Sequence, residues 1–156
     1  MKISIIAVGR MKKGLERQQM EDYLKRCPWP VTITEVEEKR RVTGAERKMR
    51  EATLIQKALS GIGPGTAYVI ALDERGKSID SIRFAHMIGG HRDQGTANLV
   101  FIIGGAEGHD PAIRDRADFL LSLGDMTWPH MLVRTMLSEQ IYRASCILSG
   151  HPYHKD

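Results

Sequence analysis

Leu99-Val100-Phe101-Ile102-Ile103-Gly104-Gly105-Ala106-Glu107-Gly108-His109-Asp110-Pro111 is the one stretch of the chain in which three structural signals follow one another without a gap. Its first five residues are apolar and rich in β-branched and aromatic types, the composition of a buried strand. The glycines behind them carry no Cβ, so the backbone can turn sharply and approach a ligand closely. Asp110 then offers an N-cap acceptor, and Pro111 takes the first helical position, where a missing N–H does no harm. Strand, glycine turn and helix in that order build the ligand-binding edge of open α/β sheets, at the carboxyl ends of their strands. By itself the turn is ambiguous. Gly-Gly-x-x-Gly is neither the G-x-G-x-x-G dinucleotide fingerprint nor a P-loop ending in Gly-Lys-Ser/Thr, and a purely structural turn has the same pattern.

Upstream, Gly89-Gly90 reads as the end of a helix whose start is capped by Ser78 or Asp80. The polar stretch from Asp73 to Lys77 reads as the turn joining that helix to a strand over Ala67 to Leu72. Strand, helix, strand is a crossover, and crossovers imply parallel pairing, so Leu72 and Gly104 are expected at one edge of a sheet. Earlier still, Lys2 to Val8 and Val31 to Val36 read as strands, with Met20, Tyr23, Leu24 and Cys27 on one helical face between them, before Pro28 and Pro30. Ala52, Ile55, Ala58 and Leu59 form a second helical stripe, ended by Gly61-Ile62-Gly63-Pro64-Gly65.

Downstream, Ile113, Ala117, Leu120 and Leu121 keep helical spacing, and a loop or short strand follows from Leu121 to Trp128. Thr127 is expected to cap a last helix opening at Pro129. Its apolar stripe is Val133, Leu137, Ile141, Ala144 and Leu148, its polar edge Arg134, Ser138, Glu139 and Arg143, and its stop Gly150. The fold class is therefore α/β: a single domain over residues 1–156, with a mainly parallel sheet flanked by helices.

Composition narrows the function. The 156 residues are 42% apolar, yet contain no run near the ~20 residues that cross a bilayer, so no membrane partner is expected. Arg10, Lys12 and Lys13 interrupt the apolar run Ile3 to Val8 before a secretory segment is complete, and a cytoplasmic protein is expected. Cys27 and Cys146 lack CxxC spacing, which points to neither a disulfide framework nor a zinc site. The formal charge of +4 favours a polyanionic partner without requiring one. Lys39, Arg40, Arg41, Arg47, Lys48 and Arg50 crowd one segment, which reads as a solvated face or as a phosphate-contacting surface, two compatible roles. The tail holds His151, Tyr153 and His154. One His-x-x-His pair without further ligands makes no metal site, and no metal is expected; the tail reads as an ordered segment folded over a site.

Taken together, several segments resemble a known family. They are Ile5-Ile6-Ala7-Val8-Gly9, the run Ile102 to Gly108, Met126-Thr127-Trp128-Pro129-His130-Met131-Leu132-Val133-Arg134, Glu139-Gln140-Ile141-Tyr142-Arg143-Ala144, and His151-Pro152-Tyr153-His154. In this order, over the whole chain, they resemble the ribosomal RNA large subunit methyltransferase H family of the SPOUT superfamily. The resemblance implies a homodimer whose α/β fold ends in a C-terminal trefoil knot, with S-adenosylmethionine held in the knotted loops. It implies methylation at N3 of a pseudouridine in an inter-subunit helix of large-subunit ribosomal RNA. It assigns the cofactor contacts to Leu72, to Gly104 and Gly105, and to Leu123, Gly124, Asp125, Met126, Thr127 and Trp128.

That reaction asks the protein to align a ring nitrogen with a sulfonium methyl and to manage one proton. The imide N3 is a weak acid near pH 7, so it must be deprotonated or have its anion stabilised. His154 and Glu139 are the candidate bases; Arg143 and His130 are candidates to stabilise the anion or grip phosphate. Tyr153 is a candidate to stack on the target base. Each has a plainer role: Glu139 and Arg143 as an i,i+4 ion pair, His130 packed at a helix start, Tyr153 docking the tail. Met131, Leu132 and Met136 extend the last helix's apolar surface beyond one stripe, which fits a second copy and a tail reaching the partner's cofactor. Lys12, Lys13, Arg40 and Arg41 would position RNA phosphates, and the assembled ribosome is the expected substrate. Two other classes share these features: a basic RNA-binding protein without catalysis, and a nucleotide-binding enzyme that uses the turn for phosphate. Affinity for S-adenosylmethionine separates them.

Overall fold

The computed structural model describes residues 1–63, 65 and 67–155; Pro64, within the expected helix stop, and Asp156, at the end of the tail, lie outside the described residues. Five strands, β1 Lys2–Val8, β2 Val31–Val36, β3 Ala67–Ser78, β4 Asn98–Ile103 and β5 Phe119–Ser122, form one sheet in the order β2-β1-β4-β3-β5. Every neighbouring pair is parallel. The connections carry α1 Leu15–Arg26, α2 Gly44–Ser60, α3 Ser81–Asp93 and α4 Pro111–Arg116, and α5 His130–Ser149 follows β5. Leu72 pairs with Ile103, which sets Leu72 beside Gly104 as expected.

Alternation along the central strands assigns the layers. Ile5, Ile70, Leu99, Phe101 and Ile103 face a core completed by Phe84 and Ile88 of α3 and by Leu137, Ile141 and Ala144 of α5. Ile6, Val8, Val69, Val100 and Ile102 face the opposite way, onto Ala52 and Ile55 of α2 and Ile113 of α4. All six residues of β4 are buried. That is why the stretch reads as a continuous apolar run rather than an alternating one: a parallel strand covered on both faces has no solvent side. At about 1.5–3 kcal/mol for each fully buried large apolar side chain, β4 is the natural centre of the fold.

Several expected boundaries differ. The polar stretch from Asp73 to Lys77 lies within β3 and holds an irregularity: β3 pairs with β5 up to Leu72 and again from Lys77 to Ser78. A Cβ at Gly76 would lie 2.7 Å from the backbone carbons of Leu120 and Leu121, so only glycine lets β3 close back onto β5. Leu120 and Leu121 belong to β5, and α4 stops at Arg116. Helix α3 runs through Gly89-Gly90 to Asp93; Gly89 is there for packing, since a Cβ would meet Leu148 of α5 at 3.1 Å. Asp80, not Ser78, caps α3, accepting from the Arg83 N–H. Residue 129 is the N-cap of α5 and Thr127 makes no cap. Asp110 does cap α4, accepting from the Ala112 N–H at 2.9 Å. Gly150, left-handed at φ 69°, ends α5.

The expected polar edge of α5 is only half a surface. Ser138 is fully buried and donates to the Arg134 carbonyl, as a helix-buried serine without another partner must. Arg134 is 1% exposed. Its guanidinium donates to Glu35 Oε1 at 2.8 Å and to the carbonyls of Val8 and Gly9 at 2.6 and 2.7 Å. It thus ties the end of β1 and the end of β2 to the first turns of α5, a non-local role that helical spacing cannot reveal.

Candidate active site

A cavity of about 580 Å³ opens beside the ends of β4 and β5 and the irregular part of β3. Three segments wall it: residues 72–75 of β3, the glycine turn at 103–109, and residues 121–130 without Asp125. Leu72, Gly104, Gly105, Leu123, Gly124, Met126, Thr127 and Trp128 all line it; Asp125 is exposed and lies outside the lining. His130 and Val133, on the first turn of α5, complete the wall.

The glycine turn is packed from behind on both sides. A Cβ on Gly104 would come within 3.1–3.3 Å of the His109 ring, and one on Gly105 within 2.9 Å of Glu51 Oε2 and 3.0 Å of Val8. These contacts leave the turn's own backbone as a wall of the cavity. On the opposite loop, Ser122 Oγ donates to the Gly124 carbonyl at 3.0 Å, and Gly124, at φ +109°, makes the bend. Trp128 Nε1 is buried with no acceptor among the described residues.

Charged groups ring the apolar floor. Arg114 Nη1 donates to the His109 carbonyl at 2.6 Å and stands 3.7 Å from Asp73 Oδ2, while Asp73 Oδ1 accepts from the Arg75 N–H at 2.9 Å. Burial holds the His109 imidazole below its ordinary pKa, against the pull of Asp73. Burial pushes the Glu51 carboxyl up, against Arg47 at 3.3 Å. His130 is also held low, by burial first and then by Arg134. Asp73, Arg114, His109 and Glu51 were missed by sequence reasoning. Asp73 directly follows Leu72 and His109 directly follows the glycine turn, and that adjacency was the available signal.

The remaining candidates form a separate cluster on the second half of α5. Glu139 Oε1 accepts from Arg143 Nε at 2.9 Å and from the Tyr153 hydroxyl at 3.0 Å, and Oε2 accepts from Gln140 at 2.7 Å. Arg143 Nη1 donates to His154 Nδ1 at 3.2 Å, and its guanidinium lies 4.8 Å from the centre of the Tyr153 ring. Tyr153 stands edge-on to Tyr142, with ring centres 4.9 Å apart. The tail is therefore docked. Burial and its carboxylate and phenol neighbours raise the Tyr153 hydroxyl pKa, so it stays a donor. The Glu139 carboxylate raises that of Arg143.

The structure does not bring this cluster to the cavity within one chain. None of Glu139, Arg143, Tyr153 or His154 lines it; Glu139 instead lines a second groove, of about 690 Å³, against α1, the start of α3 and α5. Leu121, Ser122 and Leu123 border both spaces.

An all-parallel sheet with loops from three strands enclosing a nucleoside-sized cavity defines a class, α/β proteins that bind a ligand at their strand ends. The same fold is found in a probable methylase family protein from Haemophilus influenzae Rd KW20, with a TM-score of 0.57 at 9% identity, covering 99% of this chain and 70% of that one. The family described as "Predicted SPOUT methyltransferase" matches residues 1–154. Proteins named Ribosomal RNA large subunit methyltransferase H are 50% identical in Paramagnetospirillum magneticum and 51% identical in Rhodospirillum centenum, each over 155 residues and 99% of both chains. The chain belongs to this methyltransferase H family of SPOUT methyltransferases.

Proposed function

We propose that this chain is a single-domain, S-adenosylmethionine-dependent methyltransferase of large-subunit ribosomal RNA, acting at N3 of a pseudouridine on the assembled ribosome. The observation that carries the reading is the cavity walled by the glycine turn and residues 121–130. Its volume suits an adenosyl ligand. Leu72, Leu123 and Trp128 offer apolar faces for a flat base, the buried Trp128 Nε1 lacks an acceptor among the described residues, and the Gly104-Gly105 backbone allows close approach of a sugar. Asp73, Glu107, Lys48 and Arg114 at the rim offer both signs of charge for an amino-acid moiety.

S-adenosylmethionine, when bound, supplies a methyl group on a positive sulfur, an electrophile needing no further activation. The residues have the other half of the work. Both candidate bases are already engaged: Glu139 accepts from three side chains, and His154 Nδ1 accepts from Arg143. What the cluster presents is the Arg143 cation, held in place by Glu139, His154 and Tyr153. In this reading Arg143 stabilises the imidate left when the N3 proton passes to water. Tyr153 docks the tail, and His130, neutral at the cavity wall, lines the approach of the target base.

Because cavity and cluster stand apart in one chain, the proposal includes a homodimer in which the tail of one copy completes the cavity of the other. The half-buried Leu132 and Met136 beside the larger groove support it. It also includes the trefoil knot. In support, β5 pairs outside β3, and the chain then returns along the cavity to α5 on the α1 and α3 face. Exposed Lys12, Lys13, Arg40 and Arg41 would hold RNA phosphates. Among the described residues no helix is long and apolar enough to cross a membrane, and a cytoplasmic site of action fits a ribosomal substrate. The test is transfer of labelled methyl to ribosomes and to naked ribosomal RNA, beside calorimetric titration with S-adenosylhomocysteine. The expected result is cofactor binding, transfer to ribosomes, and loss of both in Gly105→Val, whose side chain would run into Val8 and Glu51 and displace the turn. A folded protein that binds RNA but not the cofactor would sink the reading in favour of a non-catalytic RNA-binding protein.

A further inference from the structure

His109 is the most deeply buried titratable group in the cavity wall and has no part in the chemistry above. It is 3% exposed, and among the described residues neither Nδ1 nor Nε2 has a hydrogen-bond partner of good geometry, although the backbone of Leu72 and Ile102 lies close to the ring. The ring lies against Gly104, close enough that a Cβ there would touch Cε1, Nδ1 and Nε2 at 3.1–3.3 Å. Its own backbone carbonyl is fastened by Arg114, which leans on Asp73 just beyond Leu72. Three cavity-lining segments, at 72–75, 104–109 and Arg114, are thus joined at this one residue.

We infer that His109 is a positioning residue for the cofactor: its neutral ring is the wedge that holds the Gly104 backbone in place against the end of β3. The inference rests on the proposal that the cavity binds S-adenosylmethionine. Physically, a flat uncharged ring fills the space behind a glycine that has no side chain of its own. A charged imidazolium in the same slot would have to give up its hydration in a dry space, a cost that the nearby backbone of Leu72 and Ile102 does not offset. The charged groups facing it are Asp73 from β3, which favours the proton, and Arg114 from α4, which opposes it; burial, aided by Arg114, outweighs Asp73 and the backbone of Leu72 and Ile102 and favours the neutral form. Protonation therefore displaces the ring and loosens the turn, and cofactor affinity is coupled to the state of His109.

The test is calorimetric titration with S-adenosylhomocysteine between pH 5 and 7.5, a window in which the ligand's own amine and carboxylate do not change charge. We expect wild-type affinity to be level near pH 7.5 and to weaken below the pKa of the ring, approaching about tenfold per pH unit. His130 also lines the cavity, so the same series is run on His130→Gln and on His109→Gln. The acid loss should persist in His130→Gln and vanish in His109→Gln, with affinity at pH 7.5 reduced in the latter by the poorer wedge. An acid loss unchanged in His109→Gln, or a flat wild-type profile, overturns the inference. Absence of binding by the wild type at pH 7.5 overturns the cofactor assignment and this inference with it. Should His109→Gln fail to fold, ring-nitrogen spectra of the wild type decide. Saturation with the ligand should lower the His109 titration midpoint, and an unmoved midpoint overturns the proposal.

Discussion

Helix α5 carries two arginines nine positions apart, and its two halves use the same guanidinium chemistry to opposite ends. Arg134 is enclosed: its two terminal nitrogens donate to Glu35 and to two backbone carbonyls at the end of β1, and its side chain is 1% exposed. Arg143 is held by Glu139, His154 and the Tyr153 ring, yet keeps a quarter of its side chain in solvent. A buried cation whose terminal nitrogens grip a strand carboxylate and main-chain carbonyls is part of the fold. One propped by side chains at the surface is presented to something else. The same helix therefore fastens the sheet at its first turns and arms the proposed site at its last.

The largest effect expected from breaking this contrast is on Arg134. Arg134→Met keeps much of the volume but takes the guanidinium from the Val8 and Gly9 carbonyls and leaves Glu35 with only the Met11 N–H, a loss on the order of 3–5 kcal/mol in chemical denaturation. Loss of less than about 1 kcal/mol would mean water replaces the guanidinium and the tie is not structural.

Arg143 should behave in the reverse way. Arg143→Gln removes an i,i+4 pair worth about 0.3–0.5 kcal/mol, so stability should barely move, while methyl transfer should fall on the order of a hundredfold or more if the cation stabilises the imidate. Cofactor affinity should be kept within a few-fold. The contrast sharpens in mixed dimers. A subunit bearing Arg143→Gln paired with one bearing Gly105→Val recovers one complete site only if the tail of one copy serves the cavity of the other. Recovery near half of wild-type transfer is expected, and no recovery would put the tail and the cavity of each site in the same chain.

How much of this was legible in the sequence follows from how local each signal is. The opening stretch gave β4, the turn and the Asp110 cap correctly, because strand periodicity and capping are decided within a few residues. The cavity wall was legible too, since parallel pairing puts Leu72 beside Ile103 whatever the loops do. Gly76 and Gly89 were misread as parts of a turn and a helix stop. Both are instead points of close approach, to β5 and to Leu148, and closeness to a distant segment leaves no trace in the neighbouring residues. Arg134 was read as surface for the same reason: its partners are about a hundred residues away. Tyr153 and His154 were expected on a tail folded over a site; they dock on Glu139 and Arg143 of the same chain's α5, and no spacing rule connects that cluster to the cavity.

The smallest effect concerns His130, one helical turn before Arg134. Its imidazole is held below its ordinary pKa, by burial and then by the Arg134 cation. The unfolded chain, with His130 near its ordinary value of about 6.5, then takes up a proton before the folded one does. Its contribution is fully present above about pH 6.5 and is lost as pH falls from there through the lower folded-state value. His130→Gln should therefore make the acid side of the stability profile shallower while leaving stability at pH 8 close to wild type; His109, buried more deeply, retains its own share of the slope. The link to Arg134 can be read directly. In Arg134→Met, provided it folds, the His130 titration midpoint should rise toward its ordinary value, because one of the two causes holding it down is gone. A midpoint that stays where it was would assign the whole shift to burial and would separate His130 from the tie that α5 makes with β1.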